Sequence, residues 1–386
     1  MARKKAKTKL IKGIPYYYEI VEGNRNLDGT RSRKYIYAKT VKELETKVKE
    51  FKRNLDDGLK IDNKEVFQGL FKSWLFNTHL LDKKPSTIER YEGLYRNYIL
   101  NSSLGKSKIK NLNSLVIQEY YNNLYKGGRS VSTLKMLHKV IKPFLLFLYN
   151  NGYTKKDFGS KGLIKIPTEK INNEEELQVL TLEEQKIFLN SLEGNKDKLI
   201  FMTALMTGLR LGELLNLKWS NVDLKEYTLK VDKTIKRVKN IETGKTELIE
   251  QEPKTKKSKR VVPIPLSLVK DLKELKKEQN KTKLLIGELY KNNDLVFATD
   301  FGNYLDSNNI NKRFKKALIK ANLEPKKFHS LRHTYATRLF ENDVPLKTVS
   351  ELLGHSNIQI TANTYITVLE DEKKKVINQL DNIFAL

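Results

Sequence analysis

The sequence predicts a multidomain, mainly α-helical protein with small antiparallel β-sheets, and three observations predict it. The chain has 386 residues, more than one ordinary hydrophobic core organises, so two or three domains are expected. Apolar residues recur at helical spacing over most of its length, while strand-like alternation is confined to residues 14–38 and 227–265. A polar, irregular stretch, NNGYTKKDFGSKGLIKIPTEKINNEEE (150–176), interrupts both patterns and reads as a linker. The expected organisation is a small β-sheet-plus-helix domain over residues 1–60, a helical bundle over 61–152, a linker over 153–176 and a mixed α/β domain over 177–386.

Composition narrows the partners. Lys and Arg number 73 against 46 Asp and Glu, for a formal net charge of +27. A charge of that size speaks for a polyanion, nucleic acid before an anionic membrane surface. No apolar run approaches the roughly 20 residues needed to span a bilayer. The basic N-terminus, MARKKAKTKLIKG, has no apolar segment of the kind a secretory signal carries. A cytoplasmic location is therefore expected. With no cysteine in the chain, thiolate metal sites, disulfides and cysteine nucleophiles are excluded together.

Residues 14–20 (IPYYYEI) and 33–38 (RKYIYA) are strand-like runs around the turn-rich EGNRNLDGTRS. Thr40 and Glu43 have capping-box spacing and open a helix whose apolar stripe is Val41, Leu44, Val48, Phe51 and Leu55. Tyr16, Tyr18, Arg31, Arg33 and Lys34 could lie on the sheet and meet a DNA groove. The bundle begins with Phe67, Leu70, Phe71 and Trp74 on one buried face. Ser86 or Thr87 is expected to cap a second helix, with Ile88, Tyr91, Tyr95, Tyr98 and Ile99 inward. Helices over 113–125 and 130–149 follow, separated by Gly127–Gly128. Lys83, Lys84, Arg90, Arg96, Arg129, Lys135 and Lys139 are expected to reach phosphates collectively, while His79 and His138 read as structural.

After the linker, Thr181 and Glu184 repeat the capping-box spacing. The run KLIFMTALMTGLRLGELLNL then predicts a buried helix that carries Arg210 and Glu213, charges that need a partner or a ligand at the edge of a core. Strand-like runs at 227–238, 245–252 and 259–265 predict antiparallel hairpins, joined by ETG and by the basic turn PKTKKSK. Lys254, Lys256, Lys257 and Lys259 crowd that turn. A surface helix over 265–283, the run LVFAT (295–299) and a helix near 308–321 lead to FHSLRHTYATRLFENDVPLKTVSELLGHSNIQITANTY (328–365). Here His329 and Arg332 share a helix face. Gly354 caps a second helix, His355 follows it, and Tyr365 lies ten residues further on.

These residue types suit one chemistry. A phosphodiester resists attack because it is anionic and its transition state is more so. Arg210 and Arg332 offer permanent charge and forked donors to its non-bridging oxygens. His329 and His355 can donate hydrogen bonds and handle protons. Tyr365, favoured as phenolate by nearby cations, can attack and form a covalent phosphotyrosine that stores the bond energy. A hairpin lysine can protonate the leaving 5′-oxygen. Carboxylates suited to magnesium do not cluster around the set, so no metal or other cofactor is expected.

TGLRLGELLNLKW, HSLRHTYAT, LLGHS and the downstream NTY resemble the catalytic boxes of tyrosine recombinases, in particular the integrases of temperate phages and integrative conjugative elements. The resemblance extends over essentially the whole chain. It implies an arm-type DNA-binding domain over 1–60, a core-binding domain over 61–152 and a catalytic domain of tyrosine recombinase type over 177–386. It implies as catalytic residues Arg210, a hairpin lysine at Lys254 (Lys256 being the alternative), His329, Arg332, His355 and the nucleophile Tyr365. It further implies double-stranded DNA attachment sites, a homotetramer passing through a Holliday junction, and an excisionase or host DNA-bending protein as helper. A C-terminal segment with Val376, Leu380 and Ile383 on one face would dock onto a neighbouring subunit.

Within the same chemistry, a chromosome-dimer resolvase and a type IB topoisomerase-like enzyme compete with a mobile-element integrase. Residues 1–60 argue against the resolvase. An architectural DNA-binding protein would leave the Arg–Lys–His–Arg–His–Tyr set unexplained, and a metal-dependent nuclease built on His329, His333 and His355 lacks a carboxylate partner.

Overall fold

The computed structural model describes residues 7–25, 31–57, 59, 65–160, 162–168, 178–253, 258–359, 361–362 and 366. The chain divides into two compact units, Met1–Asn172 and Asn173–Leu386. Lys254, Lys256, Lys257, Tyr365 and the C-terminal segment with Val376, Leu380 and Ile383 lie outside the described residues.

The first unit opens with an antiparallel sheet in the order β1 (Lys7–Ile11), β2 (Ile14–Arg25), β3 (Arg31–Ala38). Strand β1 falls in the stretch read as a basic arm. Its pairing with β2 is set by Lys12 and Gly13, both at positive φ, which close a two-residue turn between the paired Ile11 and Ile14. Helix α1 (Val41–Asp56) covers one sheet face, and Val21, Ile36, Ala38, Leu44, Val48 and Phe51 form the core between them. Thr40 caps α1 through the Glu43 amide, but the Glu43 carboxylate accepts from the Lys39 amide rather than closing the box on Thr40. Val41, expected inward, is exposed.

The bundle comprises α2 (Phe67–Trp74), α3 (Pro85–Leu94), α4 (Ser103–Lys106), α5 (Ser114–Lys126) and α6 (Val131–Asn150). Each of α2 and α3 runs on into a π-helical turn, Leu75–His79 and Tyr95–Ile99. Lys84, not Ser86 or Thr87, is the N-cap of α3. Pro85 takes the first helical position, where its missing N–H leaves no bond unmade. In the core the Phe144 ring meets Phe67 and Phe71 edge to face at 5.0 and 4.9 Å. Part of the stretch read as linker belongs to this core: Tyr153, Phe158, Ile164 and Ile166 pack against it. The Gln118 side chain fixes Lys165 by donating to its carbonyl (2.9 Å) and accepting from its amide (2.7 Å). The polar composition of 150–168 had concealed those four apolar anchors.

In the second unit, α7 (Leu182–Ser191) is closed by the reciprocal Thr181–Glu184 capping box. The apolar run expected as one helix is two, α8 (Lys198–Thr207) and α9 (Leu211–Leu214). Gly208, at φ +62°, ends α8 in the left-handed region and Arg210 turns extended before α9. A Cβ on Gly208 would lie 2.4 Å from a Tyr335 ring carbon and 2.9 Å from Leu353, so the residue also makes room for two later helices.

The strand-like runs do not form one meander. β4 (Val222–Asp223), β5 (Thr228–Val231) and β8 (Arg260–Pro263) make a sheet in the order β4-β5-β8, while β6 (Thr234–Lys239) and β7 (Thr246–Gln251) pair as a separate ribbon. The run 227–238 breaks after Val231, where the Asp232 carboxylate turns aside to accept from the Asn221 side chain. The ribbon is held by Arg237–Asp306 (2.7 Å) and by Glu250, which meets Lys218 and Tyr304 at 2.6 Å and Lys233 at 3.1 Å. Then come α10 (Leu266–Ile286), α11 (Ser307–Lys320), α12 (Ser330–Phe340) and α13 (Leu346–Leu353). Residues 295–299 make two isolated bridges, Lys218–Leu295 and Ala298–Tyr304. One core joins Leu180, Phe188, Phe201, Leu229, Val262, Phe314, Phe328 and Leu331.

Candidate active site

Four of the six expected site residues are described: Arg210, His329, Arg332 and His355. Each sits at a helix end. Arg210 is the N-cap of α9, His329 the N-cap of α12, Arg332 lies in the first turn of α12, and His355 follows the Gly354 cap of α13. Helix ends leave backbone groups unspent, and the site uses this.

Arg332 is the tie. Its side chain is buried, and its two terminal nitrogens donate to the carbonyls of Gly208 (2.7 Å) and Leu353 (2.6 Å). Those carbonyls lie two residues before Arg210 and two before His355. One guanidinium therefore sets the spacing between the other two members. Burial, followed by the neighbouring Arg210, pulls its pKa well below the ordinary arginine value, with Glu213 opposing.

Arg210 is the open cation, its side chain 38% exposed. Its amide and its guanidinium both donate to Glu213, at 3.0 and 2.8 Å. The pairing of Arg210 with Glu213 was legible from their spacing of three residues. Burial acts to raise the Glu213 pKa, but Arg260 and then Arg210 outweigh it and hold the carboxyl below its ordinary value. Arg260 was not singled out from the sequence. It reaches the same carboxylate at 2.9 Å, with both side chains only 5% exposed. No spacing rule could have found this pair, since the residues are 47 apart.

The histidines are held neutral. Burial, then Arg332 and Arg210, lower His355 to about 3, and its Nδ1 shares a 2.7 Å hydrogen bond with the buried Thr361 hydroxyl. Burial, then His333 and Arg332, lower His329 to about 4. The His333 ring stands edge-on to that of His329 at 4.7 Å. Among the described residues, no three His, Cys, Asp or Glu side chains come together in a group able to hold a metal ion. A cleft of about 710 Å³ opens beside His355, lined also by Lys259, Arg260, Lys347 and Ser356. Such a cluster of fixed cations and neutral imidazoles can receive an anion and offer it both charge and hydrogen bonds.

Comparison with known proteins places this arrangement. Residues 174–372 match the phage integrase family, and residues 66–125 match the family's N-terminal SAM-like domain. A tyrosine recombinase XerC-like protein of Caldanaerobacter subterraneus subsp. tengcongensis is 44% identical, over 98% of this chain and 99% of its own. The integrase of Staphylococcus phage L54a is 27% identical over 88% of this chain and 99% of its own. Among solved structures, the Tn1549 transposon integrase in complex with transposon right end DNA covers 81% of this chain and 100% of that one (TM-score 0.65, 19% identity). A lambda integrase dimer bound to a core site covers 95% and 96% (TM-score 0.54, 17% identity). The chain belongs to the phage integrase family. It is a tyrosine recombinase, a DNA-binding enzyme that transfers DNA strands in recombination. No described helix is long and apolar enough to cross a membrane.

Proposed function

We propose that this recombinase is the integrase of a mobile genetic element, cutting and rejoining DNA through a covalent 3′-phosphotyrosine and a Holliday junction. The observation that carries the chemistry is the Arg332 tie, which links the backbone two residues before Arg210 to the backbone two residues before His355, with the charges of Arg210 and His329 acting on the His355 ring. Arg210 and Arg332 hold the scissile phosphate by its non-bridging oxygens. The neutral His329 and His355 give it hydrogen bonds. The Tyr365 oxygen attacks phosphorus, the bond to the 5′-oxygen breaks, and Lys254 gives that oxygen its proton. In the second half of the reaction a 5′-hydroxyl displaces the tyrosine, so strands are exchanged without hydrolysis.

The mobile-element role draws support from coverage. XerC of Natranaerobius thermophilus and XerD of Staphylococcus aureus (Mu50) match 93% and 88% of their own length but only 70% and 74% of this chain. The phage L54a integrase matches 88% of this chain and nearly all of itself. The share of this chain they leave unmatched, 30% and 26%, is large enough to include the whole N-terminal sheet domain. We assign arm-type DNA contact to the sheet face opposite α1. Register pairs Lys7 with Tyr18, Lys9 with Tyr16 and Tyr18 with Tyr37. Tyr35 and Tyr37 stack there at 6.4 Å, with Tyr35 53% exposed. Exposed Lys83, Arg90, Arg96, Arg129, Lys135 and Lys139 would add sequence-independent contacts to phosphates. A homotetramer on paired attachment sites, helped by an excisionase or a DNA-bending protein, completes the reading. A second reading, a chromosome-dimer resolvase, is favoured by the XerC-like name of the 44% identical relative.

A nicked substrate that traps the cleaved strand tests the chemistry. The wild type should leave a 3′-phosphotyrosyl adduct on a denaturing gel. Tyr365→Phe should bind DNA equally well and leave none; an adduct from that variant would move the nucleophile elsewhere. The two roles separate in the cell: an integrase yields an excised circle with a joined core repeat, detectable by amplification across the junction, and a resolvase yields none.

A further inference from the structure

We propose that Arg260 is a positioning residue for the strand-transfer reaction: it holds Arg210 and His355 in register and offsets the charge of Glu213 so that Arg210 faces the phosphate as a full cation. The inference rests on the reading of Arg210 and His355 given above.

Arg260 opens β8 and its guanidinium makes four directed contacts. Nε donates to the Leu352 carbonyl at 2.7 Å, in the last turn of α13 and three residues before His355. The two terminal nitrogens reach the two Glu213 oxygens at 2.9 and 3.4 Å, and one of them also reaches the Ser258 carbonyl at 3.3 Å. A single planar group thus joins α9 beside Arg210, the end of α13 beside His355, and the chain entering β8. Arg332 makes the parallel connection from the other side, through Gly208 and Leu353. The two guanidiniums accept the same task at neighbouring carbonyls, Leu352 and Leu353.

Charge gives the second half of the role. Glu213 is 6% exposed and lies between Arg210 and Arg260. With one arginine it would form a closed pair and cancel the cation meant for the phosphate. With two, the trio keeps one net positive charge, and the exposed member, Arg210, is the one that can turn it toward an anion. Lysine cannot substitute, since one ammonium on a flexible stem lacks the fork that meets a carboxylate and a carbonyl together. A misplacement of about 1 Å at such a site costs on the order of 100-fold in rate.

The test uses full-length protein, the nicked substrate, and a matched substrate whose scissile phosphate is a methylphosphonate, which lacks one negative charge. Arg260→Gln and Arg260→Lys are compared with wild type in single-turnover cleavage, DNA affinity and thermal midpoint. On the ordinary phosphate, Arg260→Gln should cleave roughly 100-fold more slowly with little change in DNA affinity. On the methylphosphonate its defect should shrink to within about 10-fold of wild type, because the neutral centre needs less from Arg210. Arg260→Lys should recover most of the thermal midpoint but not the rate. An equal defect on both substrates that tracks the loss of folded protein would show a merely structural arginine and overturn the proposal. Full activity in Arg260→Lys would overturn it too. If the wild type itself forms no adduct, the underlying reading fails and takes this inference with it.

Discussion

The interiors of the two units obey different rules. In the first, the described core is almost wholly apolar and aromatic, with Phe67, Phe71, Leu75, Ile99, Ile117, Tyr121 and Phe144 fully buried and Thr154 the one buried polar residue apart from tyrosines. Its charges lie outside, on strand and helix faces. In the second, Glu213, Arg332, Asn216, Ser330, Thr334, Thr337 and Thr361 are buried among the apolar side chains. A buried ion pair rarely stabilises a fold against an apolar replacement, because desolvation offsets most of the attraction. The first unit is packed to persist and to carry charge on its surface. The second gives up stability to hold charges at fixed points before any DNA arrives, which is the arrangement that electrostatic catalysis needs.

The largest effect that would break this contrast comes from the first core. Phe144→Ala removes a ring packed edge to face against Phe67 and Phe71, and should destabilise by about 3–5 kcal/mol. Hydrogen exchange read by mass spectrometry should show the loss confined to peptides of residues 1–172. Equal loss of protection in peptides of 173–386 would mean that the units do not carry separate cores.

Gly208→Ala probes the second core. The added methyl meets Tyr335 and Leu353 at a backbone angle that L side chains rarely adopt, and should destabilise by about 1–3 kcal/mol. Because the Gly208 carbonyl is a partner of Arg332, cleavage of the nicked substrate should fall further than the lost stability accounts for. A cleavage rate that follows only the folded fraction would show that the Arg332 tie does not matter.

This contrast also explains what could be read from the sequence. Regular periodicity exposes local features: the Thr181 capping box, the α12–Gly354 stretch, the Arg210–Glu213 pair and the two long bundle helices all follow from residues a few positions apart. The break between α8 and α9 was hidden because the run stays apolar on both sides of Gly208, and only the approach of Tyr335 and Leu353 requires the turn. The separate β6–β7 ribbon was hidden because alternation continues through Val231–Thr234 while the partners that pull it aside, Lys218, Tyr304 and Asp306, come from elsewhere in the unit. Arg260 was hidden for the same reason. A lone arginine at the start of KRVVPIP looks solvated until Glu213 and Leu352 are beside it. Tertiary partners, not local pattern, decide each of these, and they are concentrated in the unit whose interior is polar.

The mildest effect sharpens the contrast by pH. All five histidines lie below their ordinary value, His79 and His138 in the first unit and His329, His333 and His355 in the second, with burial the leading cause in each. The folded chain keeps these rings neutral, whereas an unfolded chain binds protons as pH falls through about 6.5. Their contribution to stability is therefore complete above about pH 6.5 and declines as pH drops below it. For His329 and His355 the decline continues to about 4 and about 3, where the folded rings finally protonate. Between pH 6.5 and 5, where ordinary carboxylates stay ionised, hydrogen-exchange protection should fall in both units and fall more in the second. Arg210→Ala removes one of the cations depressing both His329 and His355, so their titrations, followed by NMR, should both move upward. A constant or rising stability of the second unit over that pH range, or unmoved titrations in the variant, would show that its buried charges do not act on one another as the geometry requires.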